Sequence, residues 1–429
     1  MDILKEIFAH EVFPAFGCTE PIAVAYSAAV AAKELDGPVQ KVWIKVDPGV
    51  YKNGKSVIVP NTGGERGNLV AGVIGALLAD PDMKMEILKA ATPAIVEQAK
   101  TFIADGHASI DYDDTQQDLY IEVIVSSAEH SVRVVIAGGH TNVVKLERDG
   151  QPVIDKKTLP GRKPEPEYKA ILRKMMIEDL IRLAENADQD DLDYIQKGID
   201  MNLAVVDEGI KLRKVGYQLG EMMKATGCDK DVVAQSKVKT AAVSDGRMAG
   251  LSYPVMSSGG AGNQGVVAIL VAHLIGEAWG IDQTLILRSI TLSHLINSYV
   301  KCFTGDLSAI CGCAIAAGMG AAVALVYQRC GPDVEKMSLA INTIVSDLGG
   351  IFCDGAKEGC AVKVAGSTDA AIRAAYMAIN GFGVSALEGI TGDTPEKTIQ
   401  NLAKTGGKGM TQINRVILEI MRENDQSRG

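Results

Sequence analysis

Aromatic side chains are scarce in this chain. Phe, Trp and Tyr together make up 5% of the 429 residues, which argues against an aromatic-rich β-sandwich and for helices that meet through small residues. Positive charge is also short: 43 Lys and Arg face 53 Asp and Glu, a net charge of −10. A phosphate-binding surface needs the opposite balance, so nucleic acid is excluded as a main partner. Cysteine occurs only 8 times and at irregular spacing, unlike the dense framework of a small secreted domain. The CxxC pairs typical of structural zinc are absent. The opening Met1-Asp2-Ile3-Leu4-Lys5-Glu6 begins an amphipathic helix, with no basic stretch leading into an apolar run. No signal peptide is visible, and a reducing cytoplasm is the expected location.

What the chain has in quantity is glycine (45 residues) and apolar side chains (47%), the composition of a folded globular protein. Its length exceeds one ordinary core, so two or three domains are expected. Residues 1–36 read as two helices broken at Pro14-Ala15-Phe16-Gly17, the second apolar nearly all round. Strands are expected over 41–46 and 57–59, an apolar helix over 68–78, and helix again over 92–104. Alternating segments at 108–113, 118–126, 131–137 and 142–147 predict an antiparallel meander. Gln151–Pro166, rich in proline and charge, is the best boundary candidate. Helical periodicity then covers 167–187, 190–224, 230–249, 263–279, 282–299, 307–328, 332–348, 368–379 and 394–422. The expected fold class is α+β: a domain over 1–160 with a mainly antiparallel sheet, then a larger, mostly α-helical domain over 161–429.

Two uncharged stretches, 255–275 and 307–327, are long enough on paper to span a bilayer. Their residues are mostly Ala, Gly, Ser and Cys, and no aromatic belt or one-sided basic flank accompanies them. Helices buried at the centre of a soluble domain are the better account, and no membrane partner is expected.

Cys311, Cys353 and Cys360 carry the most specific chemistry. They sit in Gly-rich contexts, Ala309-Ile310-Cys311-Gly312-Cys313-Ala314 and Phe352-Cys353-Asp354-Gly355-Ala356-Lys357-Glu358-Gly359-Cys360. Any one of them alone reads as a small buried hydrophobe. As a trio on loops that let backbone approach a bulky group, they point to an iron–sulfur cluster with one iron left open as a Lewis acid. Cys228 and Cys330 stand at apparent helix ends, and Cys302 and Cys313 are open as to role. Cys18, in Gly17-Cys18-Thr19-Glu20-Pro21, directly precedes a helix. It is either a thiolate favoured by the helix start, able to act as base or nucleophile, or a buried thiol in a tight turn.

Two further loops suit an anion. Asn61-Thr62-Gly63-Gly64 and Ser257-Ser258-Gly259-Gly260-Ala261-Gly262-Asn263 each feed an apolar helix, whose first amides are free to bind a carboxylate or phosphate. Neither matches the P-loop or the dinucleotide fingerprint, which favours a small anionic substrate over a nucleotide. His140 and Asn142, in Gly138-Gly139-His140-Thr141-Asn142, are good substrate contacts on what is otherwise a turn between strands. His273 and His294 lie within apolar helices and read as core histidines.

Taken together, Gly17-Cys18-Thr19-Glu20-Pro21, Asn61-Thr62-Gly63-Gly64, Gly138-Gly139-His140-Thr141-Asn142, Ser258-Gly259-Gly260-Ala261-Gly262-Asn263, Leu307-Ser308-Ala309-Ile310-Cys311-Gly312-Cys313 and Cys353-Asp354-Gly355-Ala356-Lys357 resemble the iron–sulfur L-cysteine desulfidases. That family is related to the α-chain of bacterial iron–sulfur L-serine dehydratases, and the resemblance spans nearly the whole chain. It implies a 4Fe-4S cluster on Cys311, Cys353 and Cys360, with Cys18 as proton acceptor. Substrate contacts are then expected from Asn61, Thr62, Gly63, His140, Asn142, Ser258, Gly259 and Asn263. The implied reaction is β-elimination of L-cysteine to pyruvate, ammonia and hydrogen sulfide, with L-serine as the alternative substrate. A pyridoxal-phosphate lyase would need a Schiff-base lysine, for which Lys239 and Lys357 are the nearest candidates. A small-anion transporter or binding protein is the non-catalytic alternative. A homodimer is expected.

Overall fold

Period-two burial builds the sheet. Along Lys41–Val46 the side chains of Val42, Ile44 and Val46 are buried and their neighbours less so, as in a strand with one covered face. The computed structural model describes residues 2–116, 119–156 and 166–427. Its strands are β1 (Pro14–Ala15), β2 (Lys41–Val46), β3 (Ala108–Tyr112), β4 (Tyr120–Ser126), β5 (Ser131–Ala137), β6 (Val143–Arg148), β7 (Gln151–Asp155) and β8 (Val255–Met256). Six of them form one sheet in the order β3-β2-β4-β5-β6-β7. Pairing is antiparallel except between β2 and β3. The expected meander therefore holds from β4 onward and fails where β2 inserts between β3 and β4. A parallel neighbour needs a long crossover. Helices α3 (Pro48–Lys55), α4 (Asn68–Leu78) and α5 (Pro93–Ala104) supply it; α1 (Ile3–Glu11) and α2 (Thr19–Lys33) precede them.

The strand expected at 57–59, just after the first of these crossover helices, is corrected: only an isolated bridge between Ile58 and Arg66 exists there. Asp47 caps α3 by accepting from the Gly49 and Val50 amides, and Pro48 occupies its first turn, a start signal legible in the sequence. Helices α2 and α4 cover the sheet: Ile22, Val24, Ala28, Val73 and Ile74 share a core with Val42, Ile44, Ile121, Val123 and Val134.

The helical body comprises α6 (Glu167–Leu172), α7 (Ile177–Glu185), α8 (Gln189–Leu203), α9 (Val206–Lys211), α10 (Val215–Ala225), α11 (Val232–Met248), α12 (Gly262–Ala278), α13 (Gln283–Thr304), α14 (Ala316–Cys330), α15 (Val334–Leu348), α16 (Cys360–Ile379), α17 (Pro395–Lys404) and α18 (Ile413–Gln426). Helix α12 is buried on every side from Gly262 to Gly276, and α13 and α14 pack beside it in the same core, which accounts for the uncharged stretches. Among the described residues no helix is long and apolar enough to cross a membrane.

Three boundaries moved. Residues 307–315 are loop where helix was expected, α16 begins at Cys360, and a π-helical turn at Thr405–Gly409 separates α17 from α18. The expected boundary at Gln151–Pro166 lies partly outside the described residues, and its first part is the strand β7. The chain also begins in the helical body: Leu4, Ile7, Phe8 and Val12 belong to that core. Strand β1 pairs antiparallel with β8 before the chain passes to the sheet layer, so Gly17 and Cys18 are pinned where the two layers meet.

Candidate functional site

Backbone hydrogen bonds lace two cysteine loops together. The Cys311 amide donates to the Ile351 carbonyl and the Cys353 amide to the Ala309 carbonyl, both at 2.8 Å, forming a bridge between Ile310 and Phe352. This pairing keeps residues 309–311 out of the helix, and turns complete the loop up to α14. Cys360 follows as the first residue of α16. Cys311, Cys353, Cys360 and also Cys313, whose role the sequence left open, line one cavity of about 100 Å³. All four are thiols, not disulfides. A hydrogen bond from Cys313, helped by the Lys363 charge, draws the Cys311 thiol down to about 6 against its burial. Cys313 keeps the shared proton and is pushed well above the ordinary thiol range. Burial pushes Cys360 up to about 11.

Among the described residues no group of three or more His, Cys, Asp or Glu meets closely enough for one metal ion. A polynuclear cluster spreads its ligands more widely, so thiols around a shared cavity on glycine-bearing loops fit an iron–sulfur cluster better than zinc. Lys52 of α3, only 1% exposed, steadies this wall by donating to the Cys353 carbonyl at 2.7 Å and to Asn414 Oδ1 at 2.8 Å.

The facing wall comes from the start of the chain. Gly17 has φ of 87°, and a Cβ there would stand 2.4 Å from Pro60 Cγ, so the turn requires glycine. Cys18 is the N-cap of α2 and donates to Glu20 Oε2 at 2.9 Å. Glu20 also accepts from Thr19 Oγ1 at 3.3 Å and Asn53 Nδ2 at 3.2 Å. Of the two readings of Cys18, a thiolate lowered by the helix start or a buried thiol in a tight turn, the surroundings match the second. Burial, reinforced by the Glu20 carboxylate, pushes Cys18 well above its ordinary value, and Arg247 offsets this only in part. Burial alone would also raise Glu20, but His140 and the hydrogen bonds from Cys18 and Asn53 hold it below its ordinary value. The resting pair is a neutral thiol on a carboxylate.

A second, larger cavity of about 840 Å³ adjoins the first, and Asp306 lines both. Burial would raise Asp306, but Lys169 at 3.1 Å and Lys301 at 3.6 Å hold it well below the carboxylate range. His140, Asn142 and Gly259 line this second cavity. The His140 Nε2 is shielded from solvent and has no partner, and burial lowers the ring's pKa. Asn142 is committed to its turn, donating to the Ala137 carbonyl at 2.8 Å and accepting from Lys156 at 2.9 Å.

The other expected substrate contacts divide. Asn263 lines the thiol cavity. Asn61, Thr62 and Gly63 line neither cavity; Asn61 donates to the Leu88 carbonyl at 3.0 Å and Thr62 to the Val59 carbonyl at 2.6 Å, shaping the turn before α4. Ser258 is fully buried and also lines neither, held by Asn297 Nδ2 at 2.8 Å and His294 Nδ1 at 2.8 Å beneath the glycine loop. Lys357 is tied to Asp354, and neither it nor Lys239 lines either cavity. Sequence reasoning missed Glu20, Arg247, Lys301 and Asp306. The available signal was charge within a run that is otherwise small and uncharged, as with Asp245 and Arg247 at Ala241-Ala242-Val243-Ser244-Asp245-Gly246-Arg247.

His294 yields a pH prediction. Burial lowers its pKa to about 3, while the unfolded chain takes up the proton near 6.5. A group depressed in this way costs stability as pH falls below the unfolded value, at about 1.4 kcal/mol per pH unit. Urea unfolding at pH 7 and pH 5 should show a loss of about 2 kcal/mol attributable to His294. His294→Asn should remove that part of the decline; an unchanged decline would show the ring is not kept neutral.

Residues 82–419 match the serine dehydratase alpha chain family. The chain is 51% identical to a UPF0597 protein of Geobacter sulfurreducens over 98% of each chain. It is 51% identical to a UPF0597 protein of Elusimicrobium minutum over 99% of each, and 37% identical to one of Desulfotalea psychrophila over 98% of each. No solved structure matches. These matches define a class, lyase-type proteins of the dehydratase kind. The chain belongs to the serine dehydratase alpha chain family, which is associated with iron–sulfur dehydratases.

Proposed function

We propose that this protein is an iron–sulfur lyase that eliminates the β-substituent of a small amino acid, with L-cysteine as substrate and pyruvate, ammonia and hydrogen sulfide as products. The observation that carries the reading is the meeting of four thiols with the Cys18–Glu20 pair around one cavity. Cys311, Cys353 and Cys360 would hold a 4Fe-4S cluster, which supplies Lewis acidity at an iron without a protein ligand.

The protein's own share is proton handling and positioning. Glu20 accepts the Cys18 hydrogen bond and fixes the sulfur's position; Cys18 loses its proton to water, and the thiolate so formed removes the substrate's α-proton. The Cα electrons form the Cα–Cβ double bond, the Cβ–S bond breaks, and hydrosulfide leaves with its electron pair. Water then hydrolyses the aminoacrylate to pyruvate and ammonia. A high resting pKa makes Cys18 a strong base once deprotonated, and the nearby Arg247 charge favours that state. Holding the reactants in this enclosure supplies a further part of the rate.

L-Serine is the second candidate, favoured by the description of the matching family. Pyruvate release from L-cysteine, L-serine and their D-enantiomers by protein purified without oxygen tests the reading. Turnover that survives iron chelation but needs pyridoxal phosphate would refute it.

A further inference from the structure

Arg247 lies at the end of α11, 3% exposed, and lines the thiol cavity. Burying a guanidinium is costly unless an anion answers it. Here its hydrogen bonds go to neutral oxygens, Nη1 to Asn263 Oδ1 at 2.6 Å and Nη2 to the Gly17 carbonyl. Its Nε is buried with no acceptor. Among the described residues no carboxylate forms an ion pair with it.

Helix α12 begins beside it. Its N-cap, Ala261, offers no side-chain hydrogen bond, so the amides of Gly262, Asn263 and Gln264 lack helical partners. All three residues line the same cavity, and Gln264 Oε1 is likewise buried without a partner. Gly262 lets the guanidinium rest on this turn: a Cβ there would stand 2.3 Å from Arg247 Cζ. A fork of N–H donors and the positive end of a helix converge on one side of a cavity that the Glu20 carboxylate also lines without hydrogen-bonding the guanidinium.

We propose that Arg247 and the first turn of α12 form the receptor for the carboxylate of a small 2-amino acid. So held, the ligand presents its α-carbon to the Cys18–Glu20 pair and its β-substituent to the Cys311, Cys353 and Cys360 side of the cavity. The inference rests on the elimination reading for the ligand's identity, and on the buried, unsatisfied Arg247 Nε beside the open helix start for the site itself.

Calorimetric titration of anaerobically purified protein with L-alanine, which has no leaving group, and with L-alaninamide, whose carboxylate is masked, tests it. Alanine should bind at least about 10-fold more tightly than the amide, and Arg247→Gln should weaken alanine about 10- to 100-fold while leaving the amide unchanged. Gly262→Ala keeps the arginine but occupies its resting place, and should reproduce the loss even if Arg247→Gln folds poorly. Unchanged alanine affinity in folded Arg247→Gln and Gly262→Ala overturns the proposal. So does equal binding of alanine and its amide by the parent protein. Loss of iron from Arg247→Gln with alanine affinity retained would make Arg247 a counter-charge to the cluster and overturn it too. If discrimination and its loss hold while neither L-cysteine nor L-serine is turned over, the receptor stands and the elimination reading falls.

Discussion

Replacing Cys353 or Cys360 with serine is expected to remove iron and activity together. Each thiol sits on a fixed segment: Cys353 is held by its amide hydrogen bond to the Ala309 carbonyl and by Lys52 at its own carbonyl, and Cys360 by the first turn of α16. The substitution keeps size and changes the donor from soft to hard, which an iron–sulfur cluster does not accept. Protein purified without oxygen should lose its brown visible absorption, its bound iron and its sulfide. Pyruvate release should drop to background. The double variant Cys311→Ser/Cys313→Ser should behave alike, since that pair shares a proton and supplies a thiol drawn down to about 6. A full complement of iron in either single variant at position 353 or 360 would sink the assignment.

Cys18→Ala and Glu20→Gln are expected to leave the iron in place and each cut turnover by about 10²-fold or more, the usual cost of losing a general base. Their hydrogen bond makes them one unit, so the double variant should be little worse than either single one. Exchange of the substrate α-proton with solvent deuterium should fall in parallel. Additive losses would mean two separate roles; iron loss from Cys18→Ala would make Cys18 a ligand.

Much of this site was legible in the sequence, because glycine-rich cysteine loops and helix starts are local signals. Cys311, Cys353 and Cys360 were singled out there, and the structure brings them around one cavity; Cys18 and Asn263 line it too. The α+β class and the helical second half could likewise be read from periodicity. What escaped was set by distant partners. Cys18 read as either a lowered or a buried thiol because only the helix start is visible locally, whereas its burial and the sense of its bond to Glu20, which decide between the two, are products of packing. Arg247 drew no notice because Gly17 and Asn263, which fix it, are remote in the chain. Leu307–Ile315 read as helix because small uncharged residues fit either state until Phe352 pairs with Ile310.

The pairing of β1 with β8 also sets an order of manufacture. Pro14 meets Met256, so on the ribosome the first strand waits for a partner roughly 240 residues behind it. At ~5–20 residues per second, that is about 10 to 50 s of synthesis. During that interval Cys18 lacks the Met248 and Cys360 side of its enclosure. The thiols at 353 and 360 emerge later still. Filling of the cavity thus belongs to the finished chain, and a ribosome stalled before β8 leaves α2 on its sheet but α1 without most of the helical core that buries Leu4, Ile7 and Phe8.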